Sequence, residues 1–333
     1  MKKMILHSMI FTLSLMSALS AVASDNIYDY NYWGHEIIRK YTAQIAASGT
    51  LETISSDPNK CLPVYKNAIA NGVLDIRYAL GYFDDSQGTD VMWDGVNYGI
   101  SPSLDIGMYN SIRRALTEPC SNSEQADLCG FKVASEGLGI SVLEKPVVLA
   151  GGASVLARMT LTYASASESF VLNQGELSER QKFLAEQSEK NYFGGIGHAD
   201  IVIYNGHSRD GGGPDFNPPI LDKSLHVNYR GYYQVKRPGI RRVLDLIRNG
   251  PNKDSVMTFF SCYSRKHFYT DLLKANPKQR LVLSADTIDY YDSLKASMGY
   301  LQGFLRGACG QELADVAKQG EKIKDGFIGY QIK

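Results

Sequence analysis

The stretch DIVIYNGHSRDGGGPDF, Asp200 to Phe216, carries an unbroken apolar run into a histidine and then into three consecutive glycines. Two runs of the same make follow: VMTFF, Val256 to Phe260, ends at Ser261-Cys262, and RLVLSA, Arg280 to Ala285, ends at Asp286. Short continuous apolar runs alternating with amphipathic segments indicate strands covered on both faces. Pro238 opens one such segment, with Ile240, Val243, Leu244 and Ile247 on one helical face and Gly250-Pro251 as its stop. SRKHFYTDLL after Cys262 predicts another helix. Further on, Leu294, Met298, Leu301, Leu305 and Ala308 make a helical stripe, while Gly299, Gly303 and Gly307 make a second, read as close packing of that helix on the sheet. The expected class is α/β, a mainly parallel sheet flanked by helices.

Working outward, ISVLEKPVVLAGG and SVLARMTLTYAS meet at Gly151-Gly152 and predict a hairpin entering the sheet. Ser178 and Gln181 match a capping box opening a helix over SERQKFLAEQSEKNYF. Upstream, from Tyr32 to Glu118, Trp33, Ile37, Ile38, Tyr41 and Ile45 keep helix-face spacing, as do Leu104, Met108, Ile112 and Leu116 after Ser101-Pro102. That region reads as a small helical module, with Arg113 and Arg114 on a solvated face. The first residues place Lys2 and Lys3 before an apolar run and Ala21-Val22-Ala23, the layout of a cleavable secretory signal. The expected division is a signal peptide over 1–23, a helical region over 24–135 and an α/β domain over 136–333.

The chain has 35 basic and 35 acidic residues, so it offers no net field for nucleic acid or for an anionic membrane surface. No apolar run after the signal is long enough to span a bilayer, and no membrane anchor is expected. The processed protein is expected in the periplasm or outside the cell. Its five cysteines are Cys61, Cys120, Cys129, Cys262 and Cys309, and an odd number leaves at least one without a partner in the chain. Cys120 and Cys129 flank a short polar loop and are expected to pair; which of the other three is free stays open.

Chemistry in an open parallel sheet collects beyond the carboxyl ends of its strands. Three reactive residues stand there: His207, Cys262 and Asp286. A strand-end cysteine becomes a nucleophile when a nearby imidazole takes its proton, and the amino end of the following helix is expected to lower its pKa. The alternatives for Cys262 are a buried apolar residue, or half of a disulfide with Cys61 or Cys309.

An apolar strand ending in a histidine, here IVIYNGHS, followed by a helix and a second apolar strand ending in a cysteine, here VMTFFSC, resembles the caspase-like clan of cysteine peptidases. Cys262 lies 55 residues beyond His207, close to the roughly 50 of caspases. The resemblance covers about Ala157 to Leu313. It implies a caspase-like sheet, His207 as general base and acid, Cys262 as nucleophile, and backbone N–H groups at Ser208 and Cys262 as oxyanion donors. It also implies a peptide or protein substrate, no cofactor, and, from arginine- and lysine-specific members, a pocket for a basic side chain lined by Asp286 and Asp289. For those aspartates a turn or helix N-cap role is the competing reading. This chain departs from the family in having Gly206 before the histidine and Ser208 after it, and in reading FFSCYSRK around the cysteine.

Three other readings remain. The altered flanks fit a caspase-like domain without catalysis that binds peptide or envelope components. His207, Asp210, Asp215 and His226 offer ligand types for a metal-dependent hydrolase. Gly211 to Gly213 offer N–H groups for an anion, and as a flexible stretch they read as a rim beside the cleft.

Overall fold

The computed structural model describes residues 34–36, 38–40, 60–83, 92–93, 96–97, 104–120, 127–167, 170–224, 226–318 and 330–332. The expected signal segment lies outside the described residues, as does most of the helix expected around Trp33 to Ile45. Besides a ribbon joining Met92–Trp93 to Val96–Asn97, the described strands are β1 Val73–Leu80, β2 Lys132–Gly137, β3 Ile140–Val148, β4 Ser154–Thr162, β5 Ile201–Asn205, β6 Val256–Phe260, β7 Arg280–Ser284 and β8 Tyr330–Ile332. They form one sheet in the order β8-β7-β6-β5-β1-β4-β3-β2. The five strands from β7 to β4 are parallel. The outer strands β8, β3 and β2 each run antiparallel to their inner neighbours.

The described helices are α1 Leu62–Asn71, α2 Leu104–Thr117, α3 Phe170–Gln174, α4 Ser178–Gly195, α5 Pro238–Asn249, α6 Ser264–Ala275, α7 Tyr290–Leu305 and α8 Gly310–Lys318. Alternate residues of the parallel strands feed two cores. Leu74, Ile76, Ile203, Val256 and Val282 join α1, α2, α7 and α8 in one. Val202, Tyr204, Met257, Phe259 and Leu281 join residues of α5 and α6 in the other. Burial on both faces is why β5, β6 and β7 read as continuous apolar runs.

β1 corrects the reading of residues 32–118 as helical. It is the strand between β5 and β4, so the expected boundary at 135/136 would cut the sheet through its middle. The signal is present in VLDIRYAL, where Leu74, Ile76, Tyr78 and Leu80 alternate with Val73, Asp75, Arg77 and Ala79 after the left-handed Gly72 that ends α1. Period-two alternation over eight residues marks a strand, and here flanking helices masked it.

The hairpin forms as expected, with β3 and β4 paired from Ile140 opposite Thr162 to Val148 opposite Ser154. Gly151 and Gly152 in its turn take φ of 89° and 83°. The helix after Ser178 also forms, but without a capping box: Leu177 is its N-cap and makes no side-chain cap bond. Gln181 instead donates to the Ala164 carbonyl and accepts from the Ala166 N–H, fastening α4 to the chain leaving β4. The glycine stripe of α7 packs elsewhere than expected: a side chain at Gly303 would strike Leu313 of α8, and Gly307 abuts the backbone of the β3–β4 turn at Ala150.

Two disulfides join Cys120 to Cys129 and Cys61 to Cys309. Two disulfides are consistent with a secreted or periplasmic protein; no helix among the described residues is long and apolar enough to cross a membrane. The second bridge ties the start of α1 to the start of α8 across 248 residues of sequence. Loop entropy places its contribution near the upper end of the usual range, about 5 kcal/mol. The Cys61→Ser/Cys309→Ser double variant should show a correspondingly lower denaturant midpoint, measured with the first disulfide intact.

At the amino end of the central strands, Asp200 accepts from the Asp75 N–H at 2.9 Å. Burial, partly offset by that bond, pushes its carboxyl up to about 6. Between about pH 4 and pH 6 the folded protein keeps a proton that the unfolded chain has released, so this group's contribution falls as pH rises through that window and is flat above it. Asp200→Asn keeps the acceptor and removes the charge. It should remove this slope and raise stability at pH 7 by about 1–3 kcal/mol in urea titrations.

Candidate active site

The final ladder pair between β5 and β6 joins Asn205 to Phe260, and the Gly206 N–H donates to the Phe260 carbonyl at 3.2 Å. His207 and Cys262 each stand two residues past that pair. They leave neighbouring parallel strands, about 4.8 Å apart, in the same register and at the same end of the sheet. Asp286 follows β7, one strand further on. Cys262 is the free cysteine, which resolves the odd count.

The half-buried His207 ring lies 5.7 Å from the ring of Phe83 and 6.4 Å from that of Tyr290, edge-on to both. Its Nε2 is 2.7 Å from the Phe83 carbonyl. A carbonyl only accepts, so Nε2 carries the proton and Nδ1 is the nitrogen able to take one. Phe83 comes from the segment just past β1, so the orienting group for the expected base is supplied by the strand that sequence reading missed.

Cys262 occupies a tight passage from strand to helix. Tyr263 takes the left-handed conformation, φ 51°, which costs a residue with a side chain about 1–2 kcal/mol. The passage is held by the Tyr263 N–H on the Asp286 carbonyl, 2.9 Å, and by Ser264, whose hydroxyl donates to the Phe259 carbonyl and accepts from the Ser284 N–H. The thiol donates to the Ile288 carbonyl at 3.6 Å and accepts from the Ile288 N–H at 3.5 Å.

Burial pushes the Cys262 thiol above its ordinary pKa, and the Asp286 and Asp289 carboxylates add to the rise. The expected lowering is not the outcome: loss of hydration outweighs the backbone N–H groups of Ile288 and Cys262 that favour the thiolate. The resting group is the neutral thiol. Asp289 caps α7, accepting from the Asp292 N–H at 2.7 Å, so the N-cap reading holds for it. The Asp286 carboxylate accepts from the Thr287 N–H. Both aspartates are exposed.

The three glycines are not a flexible rim. Gly211, Gly212 and Gly213 donate their N–H groups to the carbonyls of Ser208, Arg209 and Ser208 in turn, which also leaves none for an anion. A side chain at Gly212 would meet the Tyr233 backbone at 2.7 Å, and one at Gly213 would meet the His207 carbonyl at 2.9 Å. The glycines are there because the loop folds back on itself. Ser208 is buried at the start of this loop.

Nor do His207, Asp210, Asp215 and His226 converge as metal ligands. Asp215 is bound to Arg209 and Tyr233, and Asp210 faces Gln234 and His267. Among the described residues the one group of three ligating side chains close together is Cys61, Cys309 and Glu312, and both cysteines are already joined.

No protein-family model matches the chain, and no curated protein and no solved structure matches it either.

Because the carboxylates raise the thiol, Asp289→Asn should lower the pKa of Cys262 while keeping the helix cap, since asparagine caps as well as aspartate. The pH dependence of alkylation by iodoacetamide should shift to lower pH, with little change in thermal midpoint.

Proposed function

We propose that the chain is an exported cysteine-dependent hydrolase, an endopeptidase with a caspase-like sheet and a His207/Cys262 dyad. The observation that carries the reading is the shared register of His207 and Cys262 at the carboxyl ends of adjacent parallel strands, with Cys262 the unpaired cysteine. The mainly parallel α/β architecture is compatible with the resemblance seen in the sequence.

In this reading the Phe83 carbonyl keeps the proton on Nε2 of His207, and Nδ1 removes the thiol proton as sulfur attacks the scissile carbonyl. Because the resting thiol is neutral, the histidine acts as a true general base at attack. The N–H groups of Ser208 and Cys262 receive the oxyanion, and the imidazolium returns its proton to the leaving amine. Water then attacks the thioester, with His207 taking its proton, and frees the acid and the thiol. Asp286 and Asp289 supply negative charge for a basic side chain at the residue before the cut. A cation bound there offsets the charge that holds the thiol up, so substrate itself eases ionisation of Cys262.

Hydrolysis of a fluorogenic peptide library tests the reading. Cys262→Ala should abolish turnover and His207→Ala should lower kcat/KM by at least ~10³. Activity that survives Cys262→Ala sinks the dyad. Turnover without preference for Arg or Lys removes the role given to Asp286 and Asp289. Peptide binding without turnover by the unaltered chain favours a non-catalytic binding domain.

A further inference from the structure

Arg209 is almost completely buried, at 1% exposure, although it lies in a loop, and it takes φ 48°. Neither feature suits an arginine unless its guanidinium is bound on several sides. Its Nη2 donates to the Tyr82 carbonyl at 3.0 Å and its Nε to Asp215 Oδ2 at 3.2 Å, while the guanidinium lies 5.7 Å from the centre of the Tyr233 ring. The Tyr233 hydroxyl donates to the same Asp215 oxygen at 3.1 Å.

These bonds converge on both sides of His207. Tyr82 donates its N–H to the Asp215 carbonyl, 3.2 Å, and gives its own carbonyl to Arg209, so residue 82 is gripped by both peptide groups. The next carbonyl along the chain is that of Phe83, the acceptor for His207 Nε2. On the other side, the Tyr204 hydroxyl accepts from the Asp215 N–H at 3.1 Å and donates to the carbonyl of His207 at 2.8 Å. One ion pair therefore ties the backbone that receives the ring proton to the loop that presents the ring.

We propose that the Arg209–Asp215 pair is a positioning device that holds the Phe83 carbonyl against His207 and so fixes the histidine as the Nε2–H tautomer. It rests on the dyad reading for its catalytic meaning, but the tautomer is a property of the protein without substrate. Arginine is the residue for this role because its planar fork reaches a carbonyl and a carboxylate together, which a single ammonium does not.

The test is two-bond proton–nitrogen NMR of the imidazole in the full chain at neutral to mildly alkaline pH. The unaltered protein should show one tautomer with the proton on Nε2. In Arg209→Met the two nitrogen shifts should converge toward a mixed population, with Arg209→Lys between the two, and Cys262 alkylation at neutral pH should fall ~10-fold or more. A folded Arg209→Met that keeps the pure Nε2–H signature overturns the proposal. Should that variant fail to fold, Asp215→Asn preserves shape while removing the charge; mixed tautomers there support the clamp and an unchanged spectrum overturns it. Equal alkylation rates in the unaltered chain and His207→Gln would refute the dyad instead, leaving the tautomer measurement to decide the clamp.

Discussion

The structure depends on the burial of β1 between β4 and β5. Its Leu74, Ile76, Tyr78 and Leu80 are buried on one face while Val73, Asp75 and Arg77 are half-buried on the other, and its backbone is paired along both edges, Ile76 to Leu80 with β5 and Val73 to Ala79 with β4. With both edges paired and one face buried in the core, register is strongly specified, because a slip of one residue would turn every inward side chain outward. The chain that leaves β1 is consequently delivered to a fixed place. That place is beside β5, where Gly81 donates to the Asn205 carbonyl and Phe83 presents its carbonyl to His207.

The proposed site is built by opposing demands on the same few residues. Cys262 is sheltered at the strand end, and shelter raises its pKa; the Asp286 and Asp289 carboxylates raise it further. A histidine held in one tautomer answers that conflict, since a neutral thiol needs an oriented base more than a preformed thiolate does. The polar network around Arg209 and Asp215 is what makes such orientation possible in a loop with three glycines. Leaving that guanidinium buried and unpaired would cost about 3–5 kcal/mol, so the loop has strong reason to keep one conformation.

Much of this was legible in residues whose surroundings are local. The apolar runs at 201, 256 and 280, the Pro238 helix with its inward Ile240, Val243, Leu244 and Ile247, and the hairpin at Gly151-Gly152 all lie where the sequence places them. The Cys120–Cys129 bridge follows from its short loop. VLDIRYAL was overlooked because its alternation is brief and lies between helical segments. Ser178 and Gln181 show the reverse case: the spacing fits a capping box, yet a buried partner across the fold claims the glutamine.

By itself the sequence determined the three parallel strands β5, β6 and β7 and that His207, Cys262 and Asp286 follow their ends, because burial on both faces writes continuous apolar runs and strand ends follow from chain order. Only tertiary structure decided that Cys61 pairs with Cys309 and leaves Cys262 free, that Phe83 meets His207 from 124 residues away, and that the glycines serve tight packing. Those outcomes rest on contacts between segments remote in sequence and on the loss of hydration at the site. Neither leaves a periodic mark on the chain.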